Sequence, residues 1–219
     1  MATVKGSAAV SHVGRVRSNN QDSGYAGRHL FVVADGMGGH AGGDVASAIA
    51  TRYIRDADQL YPSVQDASAA LHDSLIGANQ RLAETVAEHS ELTGMGTTVS
   101  AVLLHGDQVA ISHIGDSRIY LLRGGELSQI STDHTFVQRL VDAGRITEEE
   151  AMVHPRRSVL MRVLGDVESS PRSTPSRSTP GRAIAGCSAP TACPASCRSR
   201  TSARRSSRRP ARSPSPTGS

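Results

Sequence analysis

The sequence predicts an α+β layered domain over residues 1–165. Three observations carry that expectation: a long amphipathic helical pattern in the middle of the chain, a run of short strands joined by tight turns after it, and helix-capping signals beyond the strands. Consecutive strands joined by hairpins pair antiparallel, whereas a doubly wound parallel sheet would alternate strand with helix.

Residues 8–34 read as two strands around a polar turn, the second ending in Leu30-Phe31-Val32-Val33-Ala34. Gly42-Gly43-Asp44 then opens a helix over residues 45–55, with Asp44 as its N-cap. A second helix is expected over residues 64–88. Its Leu71, Leu75, Ala78, Leu82 and Val86 fall at steps of four, three, four and four, which is one helical face. His72, Asp73, Asn79, Gln80, Arg81 and Glu84 form the polar face, so the apolar one needs a sheet to pack on. The period then changes to that of strands, at residues 97–104, 108–114, 117–122 and 127–130. Gly106-Asp107 and Gly124-Gly125 supply hairpin turns between them. Residues 135–143 return to helix, and Thr147-Glu148-Glu149-Glu150 has the spacing of a capping box for one more. No internal repeat is visible.

Composition divides the chain at about residue 165. Of the 219 residues, the first 165 hold 14 Lys and Arg against 18 Asp and Glu, a net of −4. The remainder holds 10 Arg, no Lys and two acids, Asp166 and Glu168, a net of +8. A mildly acidic body does not suggest nucleic-acid binding. It is long enough for one real core. The chain has no apolar run of membrane-spanning length and no apolar signal-peptide core at its start. Cys187, Cys193 and Cys197 all lie in the tail, without the paired spacing of a zinc site; a cysteine-free body fits a reducing cytoplasm.

The chemistry-bearing segment is Val33-Ala34-Asp35-Gly36-Met37-Gly38-Gly39-His40. A buried strand delivers Asp35 to its end, and the glycines after it let the backbone approach a ligand closely. A carboxylate beside bare carbonyls suits a hard divalent cation such as Mg or Mn. Read alone, the segment fits an ordinary glycine-rich strand-to-helix turn equally well. Three further clusters accompany it. Arg15-Val16-Arg17-Ser18-Asn19-Asn20-Gln21-Asp22 places a guanidinium and a carboxylate five residues apart. Gly94-Met95-Gly96-Thr97-Thr98 enters a strand. His113-Ile114-Gly115-Asp116-Ser117-Arg118 sets a carboxylate in a turn between two strands.

Together these clusters resemble the metal-dependent protein phosphatases of the 2C type, and their bacterial branch in particular. The four motifs occur in the family's order with family-like spacing over about residues 8–165. Thr135-Phe136-Val137-Gln138 and His154-Pro155-Arg156-Arg157-Ser158 are similar to the family's segment beside the active site. The resemblance implies a four-layer α/β/β/α sandwich, two antiparallel sheets flanked by helices, incomplete here at the C-terminus. It implies hydrolysis of phosphate monoesters on Ser/Thr phosphoproteins by a water activated on Mn or Mg, with two ions and in bacterial members a third. Asp35 would bridge two ions and the Gly36 carbonyl would complete one shell. Asp22, with Gln21 beside it, would support the second ion, and Asp116 a third. Arg17 would bind the substrate phosphate with its planar fork. Arg17 and Asp35 are thus the catalytic candidates, and Asp22, Asp35, Gly36 and Asp116 the metal candidates.

Some positions depart from the family. Gln21 stands where many members carry an acid, and Met37 where many eukaryotic members carry a histidine proposed as general acid; His40 is the nearest substitute. His12 occupies a position that is often Asp. His113 reads as a core or supporting histidine, and Thr97 and Thr98 as strand packing. The family's later S-D-G and D-N aspartates do not occur in this sequence. The segment from residue 166 is an Arg/Ser/Pro-rich tail, holding eight of the ten prolines, for which disorder is expected. A frameshift near codon 166 is the expected origin of such GC-rich-codon text. It predicts open sheet edges, poor solubility and weak or absent turnover.

The expected partners are phosphorylated Ser/Thr proteins, including bacterial eukaryotic-like kinases, met by a cytoplasmic monomer without nucleic acid or a membrane segment. The alternative is a non-catalytic phosphopeptide-binding or regulatory remnant. Nucleic-acid binding through the arginines of the tail ranks third.

Overall fold

The computed structural model describes residues 6–15, 18–38, 42–165, 176–178 and 182–186. The first sheet is built in the strand order β1 (Asp22–Ala26), β2 (Leu30–Met37), β4 (Val99–His105), β5 (Gln108–Ile114) and β8 (Ser176–Ser178), with β3 (Gly96–Thr97) also paired on β2. The second has the order β7 (Glu126–Gln129), β6 (Arg118–Arg123) and β9 (Arg182–Gly186). All pairings are antiparallel. Helices α1 (Gly42–Arg55) and α2 (Val64–Glu88) pack side by side on the first sheet, α1 over β1 and β2, α2 over β4 and β5. The short helices α3 (Phe136–Asp142) and α4 (Glu148–Val153) pack on each other. Residues 159–161 run back alongside residues 134–136 through the Thr135–Leu160 bridge.

Helix α2 forms where its periodicity places it. Ser63 caps it by accepting the Asp66 N–H, and Leu71, Leu75, Ala78 and Leu82 are buried to 1 % exposure or less. They meet Leu30, Val32, Ala34, Ala101, Leu103, Ala110 and Ile114 of the sheet and Ala46, Ala50 and Ile54 of α1 in one apolar core. The hairpin between β1 and β2 is tied by one side chain: the Asp58 carboxylate accepts the N–H groups of Arg28, His29 and Leu30 and the Tyr25 hydroxyl at 2.8–3.1 Å. Those donors hold the Asp58 carboxyl below its ordinary value although burial works the other way.

The opposite face of the first sheet meets the second sheet through a smaller cluster, Val102, Val109, Ile111 and Ile119, with Leu104 and Ile130 at its margin.

Four expectations need correction. Among the described residues of the 8–34 stretch, the strands are Asp22–Ala26 and Leu30–Met37; residues 6–15 are irregular, because that stretch offers no alternation of apolar residues to bury. The first helix starts by Gly42, so Asp44 sits inside its first turn, where its carboxylate accepts the Val45 N–H at 2.9 Å, rather than at the N-cap. The strand expected over 97–104 is broken at Thr98 into β3 and β4. Two strands, β8 and β9, lie in the tail expected to be disordered. They add to the edges of β5 and β6, where ladder groups are open to any extended backbone irrespective of side chain. The rest of the tail lies outside the described residues.

Candidate metal centre

Strand register lines the candidate residues up across the sheet. Asp22 lies opposite Asp35 on β1 and β2. The Gly36 N–H donates to the Gln21 carbonyl at 3.1 Å, so Asp22 and Asp35 form the neighbouring non-hydrogen-bonded pair. Such pairs stand about 4.5 Å apart at Cα, with side chains on the same face. On the far side of β2, the Thr98 N–H donates to the Asp35 carbonyl at 2.9 Å, and the Asp35 N–H donates to the Thr98 hydroxyl at 3.1 Å. A side-chain oxygen replacing a ladder carbonyl is what breaks β3 from β4. The β4–β5 register then sets Thr98 against Gly115, whose backbone leaves no room for a Cβ beside the Thr98 side chain. The row Asp22–Asp35–Thr98–Gly115 faces the second sheet, followed one step inward by Ser100 and His113, hydrogen-bonded through Nδ1 at 3.0 Å.

Glycine is required where α1 meets the end of β2. A side chain at Gly36 would overlap the Gly43 carbonyl, and one at Gly43 would press on Gln21 and the Gly36 backbone. The first turn of α1 therefore rests directly on the Asp35-Gly36 corner. The Ser47 hydroxyl, at 2.7 Å from the Gln21 carbonyl, fastens α1 to the start of β1.

Asp116 sits in the turn between β5 and β6. The adjacent Ser117 hydroxyl is 2.8 Å from that of Thr98. Burial, then the neighbouring Asp133 and Asp35 carboxylates, raise the Asp116 carboxyl above its ordinary value. Arg118 grips the buried Asp133 bidentately, Nη2 to Oδ2 at 2.7 Å and Nε to both oxygens at 3.0 Å. That bond holds the guanidinium pKa above its usual value. His113 and His134 stack at 5.1 Å between centroids. Burial pushes His113 down, and burial, His113 and Arg162 push His134 down to about 4.

Asp22, Asp35 and Gly36 thus meet at one corner, with Asp116 near enough to feel the charge of Asp35. Among the described residues, however, no three His, Cys, Asp or Glu side chains gather as a ready metal cage, so the donor set Asp22, Asp35 and Asp116 is not closed around one point. Arg17 and His40 lie outside the described residues. His113 is a buried supporting residue, as its sequence context suggests. Thr98 does more than the strand packing expected of it, since its hydroxyl bonds to the Asp35 backbone. Sequence reasoning missed Asp133 and His134. The signal was present as two ionisable residues in the short loop before a helix N-cap, Thr135.

Among the described residues no helix is long and apolar enough to cross a membrane. The protein phosphatase 2C family profile matches residues 10–162. The serine/threonine protein phosphatase PstP of Mycobacterium tuberculosis is 48% identical over 181 residues, which are 83% of this chain and 35% of the relative. The serine/threonine phosphatase stp of Listeria monocytogenes is 38% identical over 160 residues, 69% of this chain and 64% of the relative. The chain thus spans about a third of the length of the first and under two thirds of the second. The crystal structure of Mycobacterium tuberculosis PstP superposes with a TM-score of 0.69 at 46% identity, covering 79% of this chain and 70% of that one. The PstP catalytic domain in complex with two manganese ions superposes at 0.63 with 41% identity, covering 79% and 69%. Motif order, antiparallel sheets, the matched profile and these relatives agree: this chain belongs to the protein phosphatase 2C family.

Proposed function

We propose that this chain hydrolyses phosphate monoesters on serine and threonine side chains of proteins, using Mn or Mg held at the Asp35 end of β2. The observation that carries the reading is the facing pair Asp22 and Asp35 beside the bare Gly36 backbone, in a fold shared with a domain crystallised with manganese. The donors fit: two carboxylates and a carbonyl are the hard oxygen set that Mg and Mn take while keeping several waters. Bound there, a divalent ion supplies charge neutralisation and a water of lowered pKa.

The remaining work falls to the chain itself. Asp35 spans the corner, fixed through both backbone groups by Thr98. Asp22, with Gln21, would support a second ion, and Asp116 would help hold a third, weaker one. Arg17, by resemblance, would bind the substrate phosphate, a task that suits a guanidinium's planar fork. The expected substrates are targets of bacterial eukaryotic-like Ser/Thr kinases and the kinases themselves, met by a monomer in the cytoplasm; the cysteine-free body supports that compartment.

A second reading, a non-catalytic phosphopeptide-binding remnant, is favoured by the absence of a three-group cage among the described residues. Hydrolysis of p-nitrophenyl phosphate and of a phosphothreonine peptide, with and without millimolar Mn(II), separates the two. The proposal expects metal-dependent turnover that falls by about 10²–10³-fold in Asp35→Ala, the scale for removing one preorganised electrostatic group. Phosphopeptide binding by folded protein without turnover would establish the remnant instead.

A further inference from the structure

We propose that Asp133 and His134 are positioning residues that hold the turn at residues 115–118, and with it Asp116, against the Asp35 end of β2. What Asp116 does there rests on the phosphatase reading; the clamp itself does not.

The turn is gripped from outside at both ends. The His134 N–H donates to the Gly115 carbonyl at 2.8 Å, and the Gly115 N–H donates back to His134 Nδ1 at 3.1 Å. At the other end Arg118 is locked onto the Asp133 carboxylate, which Gln129 Nε2 also approaches at 3.3 Å. Just beyond, the Ile119 N–H donates to the Ser131 hydroxyl at 2.9 Å. From inside, Thr98 packs on Gly115, whose φ of +106° no residue with a side chain adopts comfortably, and meets the Ser117 hydroxyl.

Geometry alone makes this a clamp: Arg118 is fixed bidentately on the buried Asp133, and the paired bonds between His134 and Gly115 hold the other end of the turn. Only a neutral imidazole has an acceptor nitrogen to offer the Gly115 N–H, and the stacked His113 ring fixes the plane in which it is offered. The 134 backbone carries the restraint outward, since its carbonyl accepts the Met161 N–H at 2.8 Å.

The test compares His134→Leu, Asp133→Asn and His134→Asn, whose side-chain oxygen can replace Nδ1 as acceptor. Amide hydrogen exchange is read over residues 115–119 and, as reference, over β2 and β4. Mn(II) titration followed by electron paramagnetic resonance is the second readout. His134→Leu and Asp133→Asn are expected to speed exchange at 115–119 by roughly tenfold or more while β2 and β4 stay protected. They are also expected to raise the Mn(II) midpoint by about 10–100-fold, the usual effect of losing an outer support. His134→Asn is expected to leave both readouts at the parent's values. Should His134→Leu fail to fold, Asp133→Asn, which keeps the side-chain shape, decides alone. Unchanged exchange at 115–119, or an equal rise in every strand, would overturn the proposal. A parent chain that binds no Mn(II) would overturn the metal reading of Asp116 and leave the clamp to the exchange data.

Discussion

The two faces of the first sheet are held by different physics. Towards α1 and α2, Val32, Ala34, Ala101, Leu103, Ala110 and Ile114 meet leucines and alanines with nothing polar to satisfy beyond a few hydroxyls. Towards the second sheet, four buried apolar side chains share the space with a row of carboxylates, hydroxyls and imidazoles: Asp35, Thr98, Ser100, His113, Asp116, Asp133 and His134. The helix face depends on volume, and its cost of damage is set by cavities. The inner face depends on hydrogen-bond partners and protonation states, so it should respond to pH and to isosteric changes that leave the helix face indifferent. One sheet thus provides a rigid apolar back and a polar front on which chemistry can be placed.

The sharpest way to break that division is Leu75→Ala. Leu75 is 1 % exposed under the helix layer. Its truncation is expected to cost about 2–5 kcal/mol in thermal or urea unfolding. If the two faces are as separate as described, the Mn(II) midpoint of the folded protein stays unchanged. Thr98→Val does the reverse. It keeps the volume but strips the hydroxyl that the Asp35 N–H donates to and that meets Ser117. It is expected to cost about 1–3 kcal/mol, the penalty for a buried donor left unmade, and to weaken Mn(II) binding as well.

Smaller and more selective is the effect of pH. The His134 pKa is held at about 4 in the folded chain, below its ordinary value of 6.5. Above 6.5 both folded and unfolded forms are neutral and the full stability is present. As pH falls from 6.5 towards 4 the unfolded form takes up the proton first, so stability drops with pH and levels off below. Asp116 opposes this in part, because its raised pKa favours the folded form at low pH and that contribution fades as pH rises above 3.8. Melting temperatures between pH 7 and 4 should therefore fall less steeply in His134→Asn than in the parent. The mildest change is Ser63→Ala at the N-cap of α2, expected to cost about 1 kcal/mol. It should leave both the pH profile and the metal midpoint alone.

The sequence told the helix face well and the inner face poorly. The bounds of α2 and the capping box at Thr147 follow from local patterns that tertiary packing reinforces. The turn at Gly106 and that at Gly124-Gly125 follow from glycine's access to positive φ. Asp22, Asp35, Gly36 and Asp116 stood out because motifs mark them, and strand register brings the first three to one corner. What stayed hidden depends on pairs distant in sequence. Thr98 looked like packing because its partner Asp35 lies 63 residues away. Asp133 and His134 carry no periodic signal, and their partners Arg118 and Gly115 are 15 and 19 residues off. Strands β8 and β9 were illegible because backbone pairing to an open edge asks little of composition.

The most direct test of the central claim is Mn(II) binding to the parent chain, Asp35→Ala and Leu75→Ala, read from the loss of the free-ion resonance. The account predicts saturable binding in the parent and in folded Leu75→Ala, and its loss in Asp35→Ala. Equal binding by the parent and Asp35→Ala would contradict it, because the metal would then sit somewhere other than the polar front of the sheet.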